Sequence, residues 1–454
     1  MARAPRGDDL SRRLFAELVR LGQAGAPELA QRLAISQPTF SRLVAARAEG
    51  LLITGSARAR RYAARRSIAE LGDRVPIFEI DPRARSRRLA WLHFVEPTSF
   101  YVEALTEDLA SRLHTDLPYF LNELRPSGFL GRVVPRQHPE LLAPTDVRLW
   151  SADQVLRYVA RFGWSLTGNL VVGERAFERY LAHAVEPPDL VATEQRKRRY
   201  AELAADALAI PIGSSAGGEQ PKFLVTRARD RVALIVKFSP PTKSAPGRRQ
   251  ADLLVVEHLA HRVLREHGQA AAESALFEAE GRLFLEIERF DRTPLGGRRG
   301  LLSLLALDAE FVGHLRSWTD SVSALIERKL LSPSLLDPVR FLELFGRLIG
   351  NTDMHAGNLS FFAQGSRVLG LAPAYDMLPA LYVGAEDHLA HRELALGAPT
   401  TADAPVWDRA SRAAADLWHT VAKDPRISAG FQRIARANAA KVHAWRKAGA
   451  LLPR

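Results

Sequence analysis

The chain has 454 residues, too many for one small core, so about two to four domains are expected. With 47% hydrophobic and 25% charged residues it reads as a globular protein, and the absence of cysteine excludes disulfides and thiolate metal sites. No apolar run reaches membrane-spanning length and residues 1–7 lack an apolar signal core, so a cytoplasmic protein is expected. The net charge of +12 is uneven: residues 1–70 carry 13 arginines against 6 acids. A GC-rich genome would explain arginine over lysine, but not this clustering, which points to a polyanion partner.

Leu10, Leu14, Leu18 and Leu21 recur at helical spacing, and residues 26–33 read as a second short helix. A third starts at Ser36 as N-cap with Pro38 in its first turn. Three short helices, the last rich in Ser, Gln, Thr and Arg, fit a helix-turn-helix whose third helix turns Gln37, Thr39 and Arg42 outward to a major groove. Leu51 to Thr54, a Gly-Ser turn, and then Arg58 to Tyr62 read as a two-stranded wing, with Arg58 and Arg60 for phosphates. This resembles a winged-helix DNA-binding domain; a small helical interaction module is the alternative.

Residues 75–80 and 89–94 look like strands, 117–126 like a helix entering a loop, and 153–162 and 174–183 like helices. Arg196-Lys197-Arg198-Arg199 opens another helix, a charge run of the kind that is ordinarily a solvated face.

Ile210-Pro211-Ile212 leads into a small-residue loop, Gly213 to Lys222, followed by a hairpin of residues 223–226 and 232–238. Such a loop can bring backbone N–H groups onto phosphate oxygens. Lys237, near the end of the second strand, can reach the same phosphates, and Glu257 on the apolar helix 253–264 is placed to orient it. Gly213-Ser214-Ser215-Ala216-Gly217 matches Gly-x-Ser-x-Gly, but a strand follows where a helix is required. Glu219 after Gly218 excludes a P-loop. Residues 283–292 alternate as a strand and end charged, which makes Glu288, Arg289 and Phe290 the candidate segment to carry adenine on its backbone. Two His-x-x-His pairs, His258/His261 and His388/His391, lack carboxylate or thiol partners nearby and read as structural.

The densest polar stretch follows an apolar helix that Asp337 and Pro338 should start and Gly350 should end. It runs Asn351-Thr352-Asp353-Met354-His355-Ala356-Gly357-Asn358, read as a buried tight loop before a short strand. Asp353 can accept a hydroxyl proton; Asn358 can offer an amide oxygen to a magnesium ion. Asp376, after another apolar run, supplies a second metal carboxylate. An Asp, an Asn five residues on and a later Asp is the layout that phosphoryl transfer requires. Residues 403–446 read as helical, with Trp407, Leu417, Trp418, Val421 and Phe431 as core.

Ser215 to Lys222, Val236-Lys237, Glu288-Arg289-Phe290-Asp291-Arg292, Asn351 to Asn358 and Tyr375-Asp376 together resemble the HipA family of serine/threonine kinases, many of them toxins of type II toxin–antitoxin modules. The resemblance spans roughly residues 75–445. It implies an α+β, two-lobed HipA-like protein-kinase fold, here with an N-terminal winged helix-turn-helix as in the YjjJ-like variant. The implied domains are 1–70, 71–310 and 311–454. By the resemblance Asp353 is the catalytic base and Asn358 and Asp376 are Mg2+ ligands. Gly217, Gly218, Glu219, Gln220, Lys222 and Lys237 contact ATP phosphates, with His355 and Tyr375 beside the nucleotide. Glu288, Arg289 and Phe290 hold adenine, and Ser215 is the autophosphorylated serine. The family also implies a protein substrate such as an aminoacyl-tRNA synthetase, and an antitoxin partner. Two features depart from it: Gly357 stands where lysine is common, and a phosphate loop longer by one residue makes Ser214 a competitor to Ser215. Since DNA binding is fused in front, the need for a separate antitoxin and the label toxin both stay open. The competing readings are a DNA-binding regulator whose kinase-like part binds nucleotide without transfer, and a small-molecule kinase.

Overall fold

The computed structural model describes residues 7–209, 220–313, 316–384 and 392–449. Gly217, Gly218, Glu219, Ser214, Ser215, His388 and His391 lie outside them. No described helix is long and apolar enough to cross a membrane.

The N-terminal unit follows its leucine spacing. Helices Gly7–Leu21, Ala26–Leu33 and Gln37–Ala46 bury Leu14, Leu18, Leu29, Leu33 and Phe40 in one core. Ser36 caps the third helix, accepting the Thr39 N–H at 3.4 Å. Strands Ala24–Gly25, Leu51–Thr54 and Arg61–Ala64 form a three-stranded sheet with the last of them in the centre. The second wing strand therefore begins at Arg61 and not at Arg58. Residues 57–59 instead form a single 3-10 turn at the tip.

A five-stranded antiparallel sheet follows, ordered Arg112–His114, Ser99–Ala104, Ser86–Val95, Arg74–Ile80, Leu170–Val172. Helices Ala152–Phe162 and Glu174–Val185 lie beside it. Residues 119–124 are a 3-10 helix and not the α-helix that 117–126 suggested; Pro118 and Pro126 bracket too short a run for α-helical turns. The N-terminal unit is fastened to this layer. Leu52 and Ala63 pack with Val95, and the buried Arg66 grips both Asp153 oxygens at 2.7 and 2.9 Å.

The next sheet is ordered Ser274–Ala279, Arg282–Glu288, Val232–Phe238, Lys222–Arg227, Leu190–Val191. Val232–Phe238 is central and apolar but for Lys237, and its neighbour Arg282–Glu288 buries Leu283, Phe284, Leu285 and Ile287. Helix Ala245–Glu266 packs against the sheet and presents Leu253, Val256, Leu259, Ala260 and Val263, all buried. Helix Arg196–Ala209 lies on the other side. Its Arg196 is not solvated: it pairs with the buried Glu286 at 2.6 Å and stacks 3.8 Å from the Phe277 ring.

The C-terminal part is helical. Helices Trp318–Glu327, Leu336–Ile349, Trp407–Lys423 and Ala429–Gly449 surround the fully buried Phe345, Leu417, Trp418, Val421 and Phe431, with Trp407 half-buried. Strands Gly300–Ser303, Ser360–Gln364 and Arg367–Leu371 make a small antiparallel sheet against them. The architecture is thus α+β, with the last two sheets facing each other across a cleft.

Candidate functional site

Helix Leu336–Ile349 starts two residues earlier than expected. Its cap position is Leu335 and no side chain caps it, so Asp337 serves only as an acid in the first turn. Its end is as expected: Gly350 adopts φ +75°, and the Asn351 N–H turns back to Gly346 O at 2.9 Å. Gly346 makes room for the Met354 side chain, which a Cβ there would force to shift, since it would stand 2.3 Å from the sulfur. That contact seats the loop on its own helix.

Side-chain amides lace the loop that follows. Asn351 Oδ1 accepts the Asp353 N–H at 3.1 Å, while its Nδ2 donates to Asp376 O at 3.2 Å. Asn358 Nδ2 donates to Asp353 O at 2.9 Å, so its amide oxygen is the end left unclaimed by the described residues. The Trp318 indole donates to His355 O at 3.2 Å, and Tyr375 donates to Gly357 O at 2.7 Å. Asn351 and Asn358 are buried, whereas Asp353 is exposed. The loop is buried at its anchors, and its carboxylate opens to solvent.

Lys237 is 3% exposed and its ammonium donates to Glu257 Oε1 at 2.6 Å and to Asp376 Oδ1. Burial works against its charge, but Asp376 and Glu257 outweigh that and raise its pKa. Burial also works against the Asp376 charge, yet Lys237, with Lys222 assisting, holds that carboxyl well below the usual range. Glu257, fully buried with Oε2 unpartnered among the described residues, is pushed up by desolvation. The pair that carries the charge is therefore Lys237 and Asp376. Asp376 has φ +53°, a region few non-glycine residues occupy, so its backbone is strained where its side chain meets the lysine.

Lys237 and Asp376 line a cleft of about 380 Å3, whereas Glu257 and the expected Asp353 and Asn358 lie off its wall. Among the residues expected from sequence, Lys222, Lys237, Glu288, Arg289, Phe290, Tyr375 and Asp376 share its wall. Lys222 sits directly opposite Lys237 in the antiparallel register. Phe290 and Tyr375 stand with ring centroids 5.7 Å apart. Arg289 keeps its expected place on the wall, while its side chain pairs with Asp291 at 3.0 and 2.8 Å. His355 does not line the cleft; its Nδ1 accepts the Gly357 N–H at 3.1 Å. Gln220 precedes the first strand and also lies off the wall. His258 and His261 both turn to the Ser274 hydroxyl, at 3.0 and 3.2 Å.

Sequence reasoning missed the far wall. Glu123, Arg125, Ser127, Tyr158 and residues 165–167 come from the middle layer and close over the cleft. Glu123 accepts the N–H and hydroxyl of Ser303 at 2.8 and 2.5 Å, and its burial raises its pKa. No local pattern marks these residues, since the segment they meet is about 100 to 200 positions away in the chain.

In the N-terminal unit Gln37, Arg42, Arg58 and Arg60 are exposed. Thr39 is half-buried, and its hydroxyl is tied to that of Ser36 at 2.9 Å as part of the helix cap.

A lysine on the middle strand of a five-stranded sheet, held between a helix glutamate and a loop aspartate that is tied to an Asp–Asn loop, is the arrangement of a kinase-like chain of HipA type. The family model described as HipA-like C-terminal domain matches residues 214–445. A second, described as YjjJ-like toxin, middle domain, matches residues 71–181. Toxin YjjJ of Escherichia coli K12 is 38% identical over 427 residues, 92% of this chain and 95% of that one. The chain belongs to the YjjJ-like toxin family. The putative kinase Y4dM of Sinorhizobium fredii is 32% identical over 146 residues, 31% of this chain and 32% of that one. Among solved structures, HipA of Shewanella oneidensis MR-1, in complex with HipB and operator DNA, matches with TM-score 0.47 at 15% identity, covering 82% of this chain and 96% of its own. The Helicobacter pylori kinase CtkA matches with TM-score 0.36 at 14% identity, covering 49% and 90%.

Proposed function

We propose that this chain is an ATP-dependent serine/threonine protein kinase of HipA type, carried on DNA by an N-terminal winged helix. The observation that carries the reading is Lys237, charged in the cleft between Glu257 and Asp376, with Asp376 tied through Asn351 to the loop bearing Asp353 and Asn358. ATP enters with adenine along the backbone of residues 288–290 and against Phe290, and with its phosphates toward Lys222 and Lys237. Asp376 and the free amide oxygen of Asn358 form a donor set of one carboxylate and one carbonyl. Such a set would hold Mg2+, which when bound would neutralise phosphate charge. Exposed Asp353 orients the hydroxyl of a protein substrate and takes its proton as the new O–Pγ bond forms and the bond from Pγ to the bridging oxygen breaks, releasing ADP.

The N-terminal unit supports the DNA reading through its order of helix, strand, two helices and two strands, and through exposed Gln37, Arg42, Arg58 and Arg60. Membership of a toxin family makes an antitoxin partner part of the proposal. A growth- or translation-regulating substrate, an aminoacyl-tRNA synthetase among the options, goes with it. The test is incubation of the pure chain with Mg-ATP. Wild type should gain one phosphate by intact mass, mapped to Ser215 or else Ser214. Asp353→Asn should bind ATP normally and lose transfer by about 10²-fold or more. Wild-type transfer by Asp353→Asn would overturn the assignment.

A further inference from the structure

A second cavity, of about 750 Å3, opens between the middle sheet and the small C-terminal sheet. It is larger than the cleft just described and shares no lining residue with it. Its size falls within the range of small-molecule sites, roughly 300–1,000 Å3. Four arginines, Arg85, Arg87, Arg298 and Arg299, stand in its wall against two carboxylates, Glu79 and Asp81. Both carboxylates are already committed. Glu79 takes Arg87 at 2.5 Å, Asp108 from outside the wall takes Arg87 as well, and Asp81 takes Arg85 at 2.6 Å along with the N–H groups of residues 83 and 85, so the surplus charge is that of Arg298 and Arg299. Arg298 is 3% exposed, and its Nη1 has no partner among the described residues. Arg299 is exposed, with its guanidinium 5.7 Å from the Phe362 ring centroid. The wall also carries apolar surface: the Phe362 ring and Leu369, which is 57% exposed on the edge strand Arg367–Leu371.

Surplus positive charge beside a flat apolar surface selects an anion with an aromatic body. We propose that this cavity is a second ligand site, separate from the nucleotide cleft, for a small aryl phosphate. An occupant would touch groups that hold the segment at residues 288–292. The Arg299 N–H donates to Asp291 O at 3.0 Å, its Nη1 to Phe290 O at 3.4 Å, and Phe362 meets Phe290 edge-on at 6.1 Å. Binding here needs no catalysis, so the proposal stands or falls apart from the kinase reading.

The test uses the full chain, phenyl phosphate as probe, and saturation-transfer NMR with thermal-shift titration. Saturable binding that persists with the nucleotide cleft filled by a non-hydrolysable ATP analogue is expected. Phenol and inorganic phosphate, the two halves of the probe, should each bind at least roughly tenfold more weakly. Arg299→Glu should weaken phenyl phosphate by a similar factor, and Leu369→Trp, a surface change that fills the cavity mouth, should do so without reversing charge. Lys237→Met should leave this binding intact. The site is overturned by absent saturation, by displacement with the ATP analogue, by inorganic phosphate binding as tightly as the probe, or by folded Arg299→Glu and Leu369→Trp proteins that bind like wild type.

Discussion

Lys237 keeps its charge in the interior only because two carboxylates meet it, and they are not equivalent. Asp376 carries the compensating charge, whereas Glu257 is buried deeply enough that desolvation raises its own pKa. Replacing Glu257 by glutamine removes a costly buried anion as well as a partner, and Asp376 remains. Glu257→Gln should therefore change stability by less than about 1.5 kcal/mol. If Asp376 turns to a metal when nucleotide binds, Glu257 is the acceptor left to direct Lys237 among the described residues, so ATP affinity should fall by roughly tenfold. Equilibrium denaturation and nucleotide titration on the same protein separate the two effects. An unchanged ATP affinity would remove Glu257 from the orienting role. Asn351 teaches a related lesson: it has no place in the chemistry, yet its two amide ends join the Asp353 backbone to the Asp376 carbonyl.

At the scale of elements, the proposed DNA contacts fall on the third N-terminal helix and on the wing. Gln37 and Arg42 lie on the exposed face of helix Gln37–Ala46, while Arg58 and Arg60 lie at the tip between the wing strands. Phosphate contacts release counterions and base contacts do not. Arg58→Ala with Arg60→Ala should weaken duplex binding to all sequences alike and lower the salt slope by roughly two. Arg42→Ala should relax specificity at one position, by about 1–3 kcal/mol. Filter binding of the full chain across a salt series reads both; no binding at low salt would make the unit an interaction module. The full chain is the right object because Arg66 and the cluster of Leu52, Ala63 and Val95 bind this unit to the middle layer.

Across the whole molecule, one buried ion cluster joins the middle layer to the strand that leads out of the kinase-like sheet. Asp291 accepts from Arg289, from Arg292 at 2.6 Å and from the Gly168 N–H at 2.9 Å, and Arg292 continues to the carbonyl of Gly168 at 2.9 Å. Burial raises the Asp291 pKa, but Arg289 and Arg292 overcome it and hold the carboxyl well below the usual range. A depressed folded pKa means that the stabilisation is complete above the unfolded value of about 4 and is lost as pH falls below it. Asp291→Ala leaves two arginines uncompensated and should cost about 3–5 kcal/mol, with a flatter acid limb in the stability–pH curve. Urea melts from pH 7 to pH 3 check both; an acid limb identical to wild type would show that Asp291 is not the group titrating.

Local physics made much of this legible from sequence. Leucine spacing, the Ser36 cap and Gly350 specify helices through neighbours within a few positions. The Asp353–Asn358 loop, the Lys222/Lys237 hairpin and Asp376 stand out because polar residues interrupt apolar runs. Residues 210–219 belong to the described structure of neither lobe, so the serine expected there remains a matter of sequence. Tertiary structure alone decided the rest. It turned Arg196 from a solvated face onto Glu286. It brought Glu123 and Tyr158 from the middle layer over the cleft, and opened a second arginine-lined cavity between two sheets. Periodicity reports which face of an element is buried, but the partner that meets that face is set by packing among segments hundreds of residues apart.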